Sequence, residues 1–406
     1  MGPARDWSGL PEDLLLVAMA AMEVPDVLRS GAVCCSWRSA SATFRRLRLP
    51  STALNQPPCL LYACDAYGAD DATALYSPSA NATFRLPSSL RGVVGSAHGW
   101  LFTTDEAANP YLLNPLTGAR AALPPITTLE GVKIHSIPDD DGGVLYDVDR
   151  GMRSFPKVKQ ANARTAKDWM YGRVAISAAG ASPECIVLLA HTPCGSLSFA
   201  RPGDESWTSL PEPYSTTEVA IAVYNERDGL FYTLCEGGVV CTFDLSNPSS
   251  PAVRRIAYGA KMHSSGSAAR HSHYLLFTPG NAILVVTRRF ARALDTPRGG
   301  GVATTDLWIH KVRGRDWTGL GDNALILGRN SPLCLPIKDY PMLRPNCAYL
   351  TDDLQQHYTP VRRRNLGIWT SRPGACRSLT ISGLSFLGWK HHHQFGLRHL
   401  FTRLGT

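Results

Sequence analysis

Residue types able to do chemistry are scattered through this chain, and their spacing decides what each could do. Asp352-Asp353 is a paired acid of the sort used in general acid–base work. Neighbouring residues on a strand point to opposite faces, however, so the pair cannot easily flank one bond. His98, two residues after Ser96, offers a base beside a hydroxyl. It stands in Gly95-Ser96-Ala97-His98-Gly99, a turn sequence with no third group to orient the imidazole. Arg298-Gly299-Gly300-Gly301 has the glycines of a phosphate loop but lacks the lysine and the strand-to-helix setting. His391-His392-His393 invites a metal, yet three consecutive histidines cannot all face one ion and no Cys or carboxylate follows at ligand spacing. A nucleophile elbow, a zinc-protease helix and a dinucleotide fingerprint are all missing. What remains is binding, with no catalytic residue, cofactor or metal expected.

The elements that would position a binding surface follow from bulk properties. The 406 residues suffice for one large β domain or two ordinary ones after a helical start, and the 35 glycines and 29 prolines favour many short strands and turns. The apolar run Leu14 to Met22 is too short to span a bilayer, and Arg5, Asp6 and Glu12 do not fit a secretory leader. An intracellular protein of the nucleus or cytosol is expected, with no membrane partner. Eleven cysteines without a CxxC pair indicate neither a disulfide framework nor a zinc site. The glycosylation sequon at Asn81-Ala82-Thr83 is then irrelevant. The net charge of +8 is spread over Arg45-Arg46, Arg288-Arg289 and Arg362-Arg363-Arg364, without interleaved aromatics. Solvated basic surface is expected there, not a nucleic-acid platform.

The first residues read as three short helices. Pro11 suits a first helical position, and Glu12 and Asp13 complement the positive end of the dipole. Leu14, Leu15, Ala18, Met19 and Met22 recur at the spacing of one apolar stripe. That helix should end before Pro25. A second is expected from Asp26, with Gly31 as its stop or a weak point, and a third from about Val33 to Phe44, placing Val33, Trp37, Ala40 and Phe44 on one side. About 40 residues is near the lower limit for independent folding, so surplus apolar surface must be covered, by the rest of the chain or by a partner.

The order Leu10-Pro11-Glu12-Asp13-Leu14-Leu15, Val24-Pro25-Asp26-Val27-Leu28 and Val33-Cys34-Cys35-Ser36-Trp37-Arg38 resembles the F-box motif along its whole length. Met19 and Met22 replace the usual Ile and Leu, and Gly31 an apolar residue. The resemblance implies docking on a Skp-type adaptor, and through it on a cullin-based ubiquitin ligase, by Leu10, Pro11, Leu14, Leu15, Val24, Pro25, Val27, Leu28, Val33 and Trp37.

From Leu60 onward, apolar stretches such as Val219 to Tyr224, Leu230 to Leu234 and Ile283 to Thr287 alternate with Asn-Pro, Asp-Gly and Gly-Gly turns, the pattern of antiparallel hairpins. Arg201 to Leu210 has an echo in Arg313 to Leu320, and Leu-Pro closes a unit at Leu86, Leu123, Leu210 and Leu335. Units of about 40 to 50 residues give a β-propeller of about six to eight blades. Gly95 to Leu101, Leu112 to Gly118, Phe199 to Asp204 with Trp207, Leu320 to Leu325 and Pro345 to Asp353 are similar to successive landmarks of a plant F-box family with a KIB-type, kelch-like propeller. The expected organisation is therefore mainly β with a small α N-terminal domain: an F-box over 1–48, a linker over 49–59, a propeller over 60–370, and an uncertain segment over 371–406 in which closure of the last blade is open. Asp139 to Gly143 and Lys157 to Lys167 read as solvated polar loops. The resemblance implies a target receptor of the ligase. A non-ligase scaffold is the alternative, and a propeller hydrolase, needing convergent carboxylates in the channel, is a third. The target is not readable.

Overall fold

A computed structural model describes residues 7–46, 58–63, 73–77, 82–86, 367–370, 376–378 and 400–403, and 93–351 apart from 116, 135–142, 152–155, 194, 212–218, 236, 258–269, 294–300, 313–318 and 329–330. After a single turn at Trp7–Gly9 come helices α1 (Glu12–Ala20), α2 (Val24–Ser30) and α3 (Cys35–Arg46). Pro11 caps α1 from outside it, and the side chain of no residue caps that end. Pro25 sits within the first turn of α2 instead of preceding the helix, because a first-turn residue has no intrahelical partner for the N–H that proline lacks. Gly31 is the C-cap of α2, in right-handed geometry.

The rest is strands. In chain order they are β1 (Pro58–Ala63), β2 (Thr73–Ser77) and β3 (Ala82–Leu86); β4 (Gly95–Ala97), β5 (Trp100–Thr104), β6 (Pro110–Leu113) and β7 (Arg120–Ala122); and β8 (Val132–Ile134), β9 (Leu145–Asp149) and β10 (Val158–Asn162). Helix α4 (Ala163–Met170) follows, then β11 (Arg173–Ile176), β12 (Val187–His191), β13 (Ser196–Ala200) and β14 (Thr208–Ser209). Next are β15 (Val219–Asn225), β16 (Leu230–Cys235), β17 (Val239–Asp244) and β18 (Ala252–Ala257), and then β19 (Arg270–Phe277), β20 (Ile283–Ala293) and β21 (Gly301–Lys311). The last are β22 (Asn323–Leu327), β23 (Leu333–Pro336), β24 (Cys347–Leu350), β25 (Gly367–Thr370), β26 (Cys376–Ser378) and β27 (Leu400–Arg403).

These strands make seven sheets among the described residues. Six form the ring. Strands β27, β4, β11, β15 and β19 neighbour one another in that order, and β23 lies against β19. Leu60 of the first sheet packs with Ala324, Ile326 and Tyr349 of the last, which completes the circle. Closure comes from the chain's far end: β27 pairs antiparallel with β1, Leu60 opposite Phe401. Both β26 and β27 thus fall in the segment after residue 370 that the sequence left open. One pairing departs from the antiparallel expectation, since β22 and β24 run parallel, with β23 folded back on the inner side of β22.

The seventh sheet, β8 to β10, stands outside this ring, since β4 neighbours β11 directly. Its inner residues Val132, Tyr146, Val148 and Ala161 join Ala166 and Met170 of α4 in one core with Trp100, Phe102 and Leu112 of the second sheet and Val174 and Val187 of the next. The Tyr146 and Tyr171 hydroxyls donate to the carbonyls of Ala107 (2.6 Å) and Ala108 (2.7 Å), and Tyr171 meets Phe102 edge-on at 5.4 Å. This corrects the reading of Lys157 to Lys167 as a solvated loop. Lys157 and Lys159 remain exposed at the start of β10, where the inner side is not yet covered, while Ala163, Ala166 and Met170 recur at helical spacing and Asn162 caps the helix by accepting from the Thr165 N–H at 3.0 Å. Asp139 to Gly142 lie outside the described residues.

Candidate functional site: an apolar face on the N-terminal helices

A nine-residue helix such as α1 is not stable alone in water, so it must pack. Leu15, Met19, Val27, Ala40 and Phe44 form the buried centre of the three helices, with Leu10, Leu16, Ala20, Met22 and Trp37 partly buried around them. Each fully buried large side chain contributes about 1.5–3 kcal/mol. Polar bonds tie α3 to what precedes it: the Ser41 hydroxyl donates to the Val27 carbonyl at 3.5 Å, Arg38 Nε donates to the Gly31 carbonyl at 3.3 Å, and Trp37 Nε1 donates to the Trp7 carbonyl at 3.1 Å.

The filled centre leaves apolar residues over. Leu14 is 52 % exposed, Val17 67 %, Val33 65 % and Trp7 56 %. Leu14 and Val17 are three apart on α1 and so neighbours on its surface. The expected stripe from Leu14 to Met22 is thereby divided: Leu15 and Met19 turn inward, Leu14 outward. Leu10 and Trp37 straddle the boundary, and Pro11 is exposed at the start of α1. Val27 is buried, whereas the side chains of Val24, Pro25 and Leu28 lie outside the described ones. Val17 and Trp7 were missed from sequence, although the spacing of Val17 from Leu14 was a signal for it. Val33 precedes α3, which begins at Cys35, and so does not share the buried side of Ala40 and Phe44.

The residues that suggested chemistry have other duties. His98 (φ 50°) and Gly99 (φ 74°) are the two central residues of the hairpin between β4 and β5, both left-handed as a two-residue turn of that hand requires. His98 Nε2 lies 3.1 Å from the Ile176 carbonyl, which ties the turn to the neighbouring blade. Asp352-Asp353, Arg298 to Gly300, Arg362 to Arg364 and the three histidines from His391 lie outside the described residues. A hydroxyl–imidazole pair that sequence reading missed joins Ser198 and His191 Nε2 at 2.8 Å, with His191 Nδ1 2.6 Å from the Thr192 carbonyl. Ser198 is wholly buried, so no substrate carbonyl reaches its oxygen. The six inner strands (β4, β11, β15, β19, β23 and β27) carry no Asp or Glu within their spans.

Arg288 corrects the expectation of a solvated basic surface. It is fully buried, its Nε donating to Thr304 Oγ1 at 2.8 Å and its Nη1 to the Thr351 carbonyl at 2.6 Å, with the guanidinium 4.7 Å above the Phe290 ring. Alternation along β20 turns Arg288 inward and leaves Arg289 outside against Asp306 at 3.4 Å. The landmark around Arg201 is a structural clasp: its N–H donates to Asp204 Oδ2 at 2.7 Å, Gly203 N–H to the Ala122 carbonyl at 3.0 Å, and buried Trp207 Nε1 to the Pro124 carbonyl at 3.0 Å. Its echo at Arg313 to Thr318 lies outside the described residues.

Known proteins bear on this arrangement. Residues 75–370 match the family model described as the KIB1-4 beta-propeller. An F-box/kelch-repeat protein of Arabidopsis thaliana is 26 % identical over 250 residues, covering 60 % of this chain and 58 % of that one. A putative F-box protein of the same plant is 24 % identical over 364 residues, covering 85 % and 83 %. Against the first relatives found, this chain spans only 50 to 58 % of their length. Among solved structures, the β-propeller domain of Cps50 (Swd1) from Myceliophteria thermophila aligns at a TM-score of 0.30 and 11 % identity over 61 % of this chain and 78 % of that one, too loosely to add to the fold. With three helices ahead of a ring of sheets, the chain belongs to the KIB1-4 β-propeller family, in the arrangement of the plant F-box proteins.

Proposed function

We propose that this protein is the target-recognition subunit of a Skp–cullin–F-box ubiquitin ligase. The N-terminal helices dock on a Skp-type adaptor, the propeller captures a protein, and the chain itself catalyses nothing. The observation that carries the reading is the exposed apolar set Leu14, Val17 and Val33 beside a core already filled by Leu15, Met19, Val27 and Phe44. A cap packed on the ring would have no reason to leave these residues in water, whereas a partner groove gives them one. Leu15 and Met19 then act indirectly, by holding the helices that present the face. Ubiquitin transfer belongs to other subunits, and this chain raises the local concentration of a captured protein's lysines near the charged carrier. The same reading has the protein working inside the cell, in nucleus or cytosol.

Co-expression with a Skp-type adaptor followed by size-exclusion chromatography tests it. The native chain should elute in a stoichiometric complex, and Leu14→Asp with Val17→Asp should abolish that complex while the ring stays folded. A complex that survives the double substitution, or a native chain that forms none, overturns the reading.

A further inference from the structure

The loop between β17 and β18 presents a hydroxyl that nothing in the fold uses. Of the described serines and threonines that precede a proline, Ser77, Ser182, Thr192, Ser250, Thr278 and Ser331, only Ser250 is exposed. The hydroxyls of Thr192, Thr278 and Ser182 are also committed, to the Met170 sulfur at 3.0 Å, the Ala282 N–H at 3.0 Å and the Glu184 N–H at 3.2 Å. Ser250 is held by its backbone alone, its N–H donating to the Asn247 carbonyl at 3.2 Å, while its Oγ makes no hydrogen bond. The loop is nonetheless shaped: Asp244 accepts from the N–H and hydroxyl of Ser246, and Asn247 Oδ1 accepts from the Ser249 N–H at 3.1 Å. Ser246 to Ser250 are all exposed, so another enzyme can reach them.

The groups around the loop suit an added anion. Arg201, from the preceding blade, reaches across to it, its Nη2 donating to the Leu245 carbonyl at 3.4 Å. Arg254 is exposed on β18; its carbonyl accepts from Thr242 Oγ1 at 3.3 Å, but its guanidinium has no hydrogen-bond partner among the described residues. Asp244, opposite Ala252 in the ladder, is the acid that Arg254 faces, and it already accepts from Ser246. Ser250 and Arg254 are four residues apart, at most about 14 Å between Cα atoms, a gap that a phosphoserine and an arginine side chain close together. A serine phosphate carries about −1.5 to −2 charges at neutral pH and three acceptor oxygens, which a guanidinium meets with charge-assisted hydrogen bonds.

We propose that Ser250 is a phosphoacceptor for a proline-directed serine/threonine kinase, with Pro251 as the recognised neighbour and Arg254 as the group that receives the phosphate. The Ser250 oxygen attacks the γ-phosphorus of ATP, its proton passes to the kinase's base, and the bond to ADP breaks as the new O–P bond forms. The site stands apart from the ligase reading and needs no adaptor. The probe is a purified mitogen-activated protein kinase with Mg²⁺ and ATP, acting on the native full chain, the phosphate being located by mass spectrometry. Phosphate is expected at Ser250, with Ser182, Thr192 and Thr278 unlabelled until the chain is unfolded. Pro251→Ala should cut labelling at Ser250 at least about tenfold, and Ser249→Ala should leave it unchanged. Unfolding would raise labelling, so a fall reports lost recognition and not a damaged loop. In the phosphorylated chain, ³¹P NMR titration should give a second phosphate pKa about half a unit lower than in Arg254→Ala, because a guanidinium favours the dianion and exposure screens the pair. No phosphate at Ser250 of the native chain, or labelling undiminished by Pro251→Ala, overturns the site. Equal phosphate pKa values with and without Arg254 overturn the place given to that residue.

Discussion

The N-terminal helices and the sheets of the ring use the same apolar residue types to opposite ends. In β12 and β13 every residue is buried on both faces of the sheet, Leu188 and Phe199 facing one neighbouring core and Val187 and Leu189 the other. In α1, only Leu15 and Met19 are buried, and Leu14 and Val17 stand in water. A blade is covered by its two neighbours, so an apolar strand needs no outside partner. Three short helices have one small centre and cannot cover more than one face each. An apolar residue therefore means structure in the ring, whereas in the helices it is either part of the small centre or left exposed.

The largest expected effect belongs to the ring. Phe199→Ala empties a site between two blades and should destabilise the propeller by about 3–5 kcal/mol in equilibrium urea unfolding; a loss under about 1 kcal/mol would mean that the strand is not core. Within α1 the contrast is sharper because it separates adjacent residues. Leu15→Ala should cost the helical unit about 2–4 kcal/mol, read by circular dichroism, whereas Leu14→Ala should stay within about 0.5 kcal/mol. Equal costs would erase the division into an inner and an outer side.

Thiol chemistry gives a third contrast. Burial pushes the Cys59 and Cys334 thiols up to about 12, and those of Cys185 and Cys241 to about 11, whereas Cys35 on α3 is exposed. Brief alkylation of the native protein at mild alkaline pH, read by mass spectrometry, should therefore label Cys35 before those four, which react on unfolding. Early labelling of Cys185 or Cys241 would show the blades to be open. The smallest effect is expected at Asp244, whose carboxyl is held below its usual range by the hydroxyl and backbone N–H of Ser246 (2.7 and 3.0 Å). A folded pKa below the unfolded one gives stability that is present above the unfolded value and lost as pH falls through the folded one. Ser246→Ala should therefore lower the melting temperature slightly at neutral pH and not in strong acid; an equal shift at both would assign the loss to packing.

Much of this was legible in the chain. The helices announced themselves by Pro11, Pro25 and apolar spacing, and the hairpins by turn residues such as His98-Gly99, because these signals depend on local backbone geometry alone. Helix α4 and strand β10 were hidden, since six cations dominate a stretch whose apolar residues, Ala161, Ala166 and Met170, are few and small. The buried Arg288 was hidden too: its partners Thr304 and Thr351 come from other strands, and no local pattern tells a paired interior cation from a solvated one.

By itself, then, the sequence determined the N-terminal helices and the succession of hairpins, properties of short-range periodicity and turn chemistry, and its resemblance to a plant F-box family supplied the F-box-then-propeller organisation. Only the tertiary structure decided three matters: that β27 from the far end completes the first blade beside β1, that β8 to β10 stand outside a ring of six sheets, and that Leu14 faces water while Leu15 does not. Each depends on which distant surface covers which residue. Burial is a property of neighbours far apart along the chain, and the chain's local pattern does not name them.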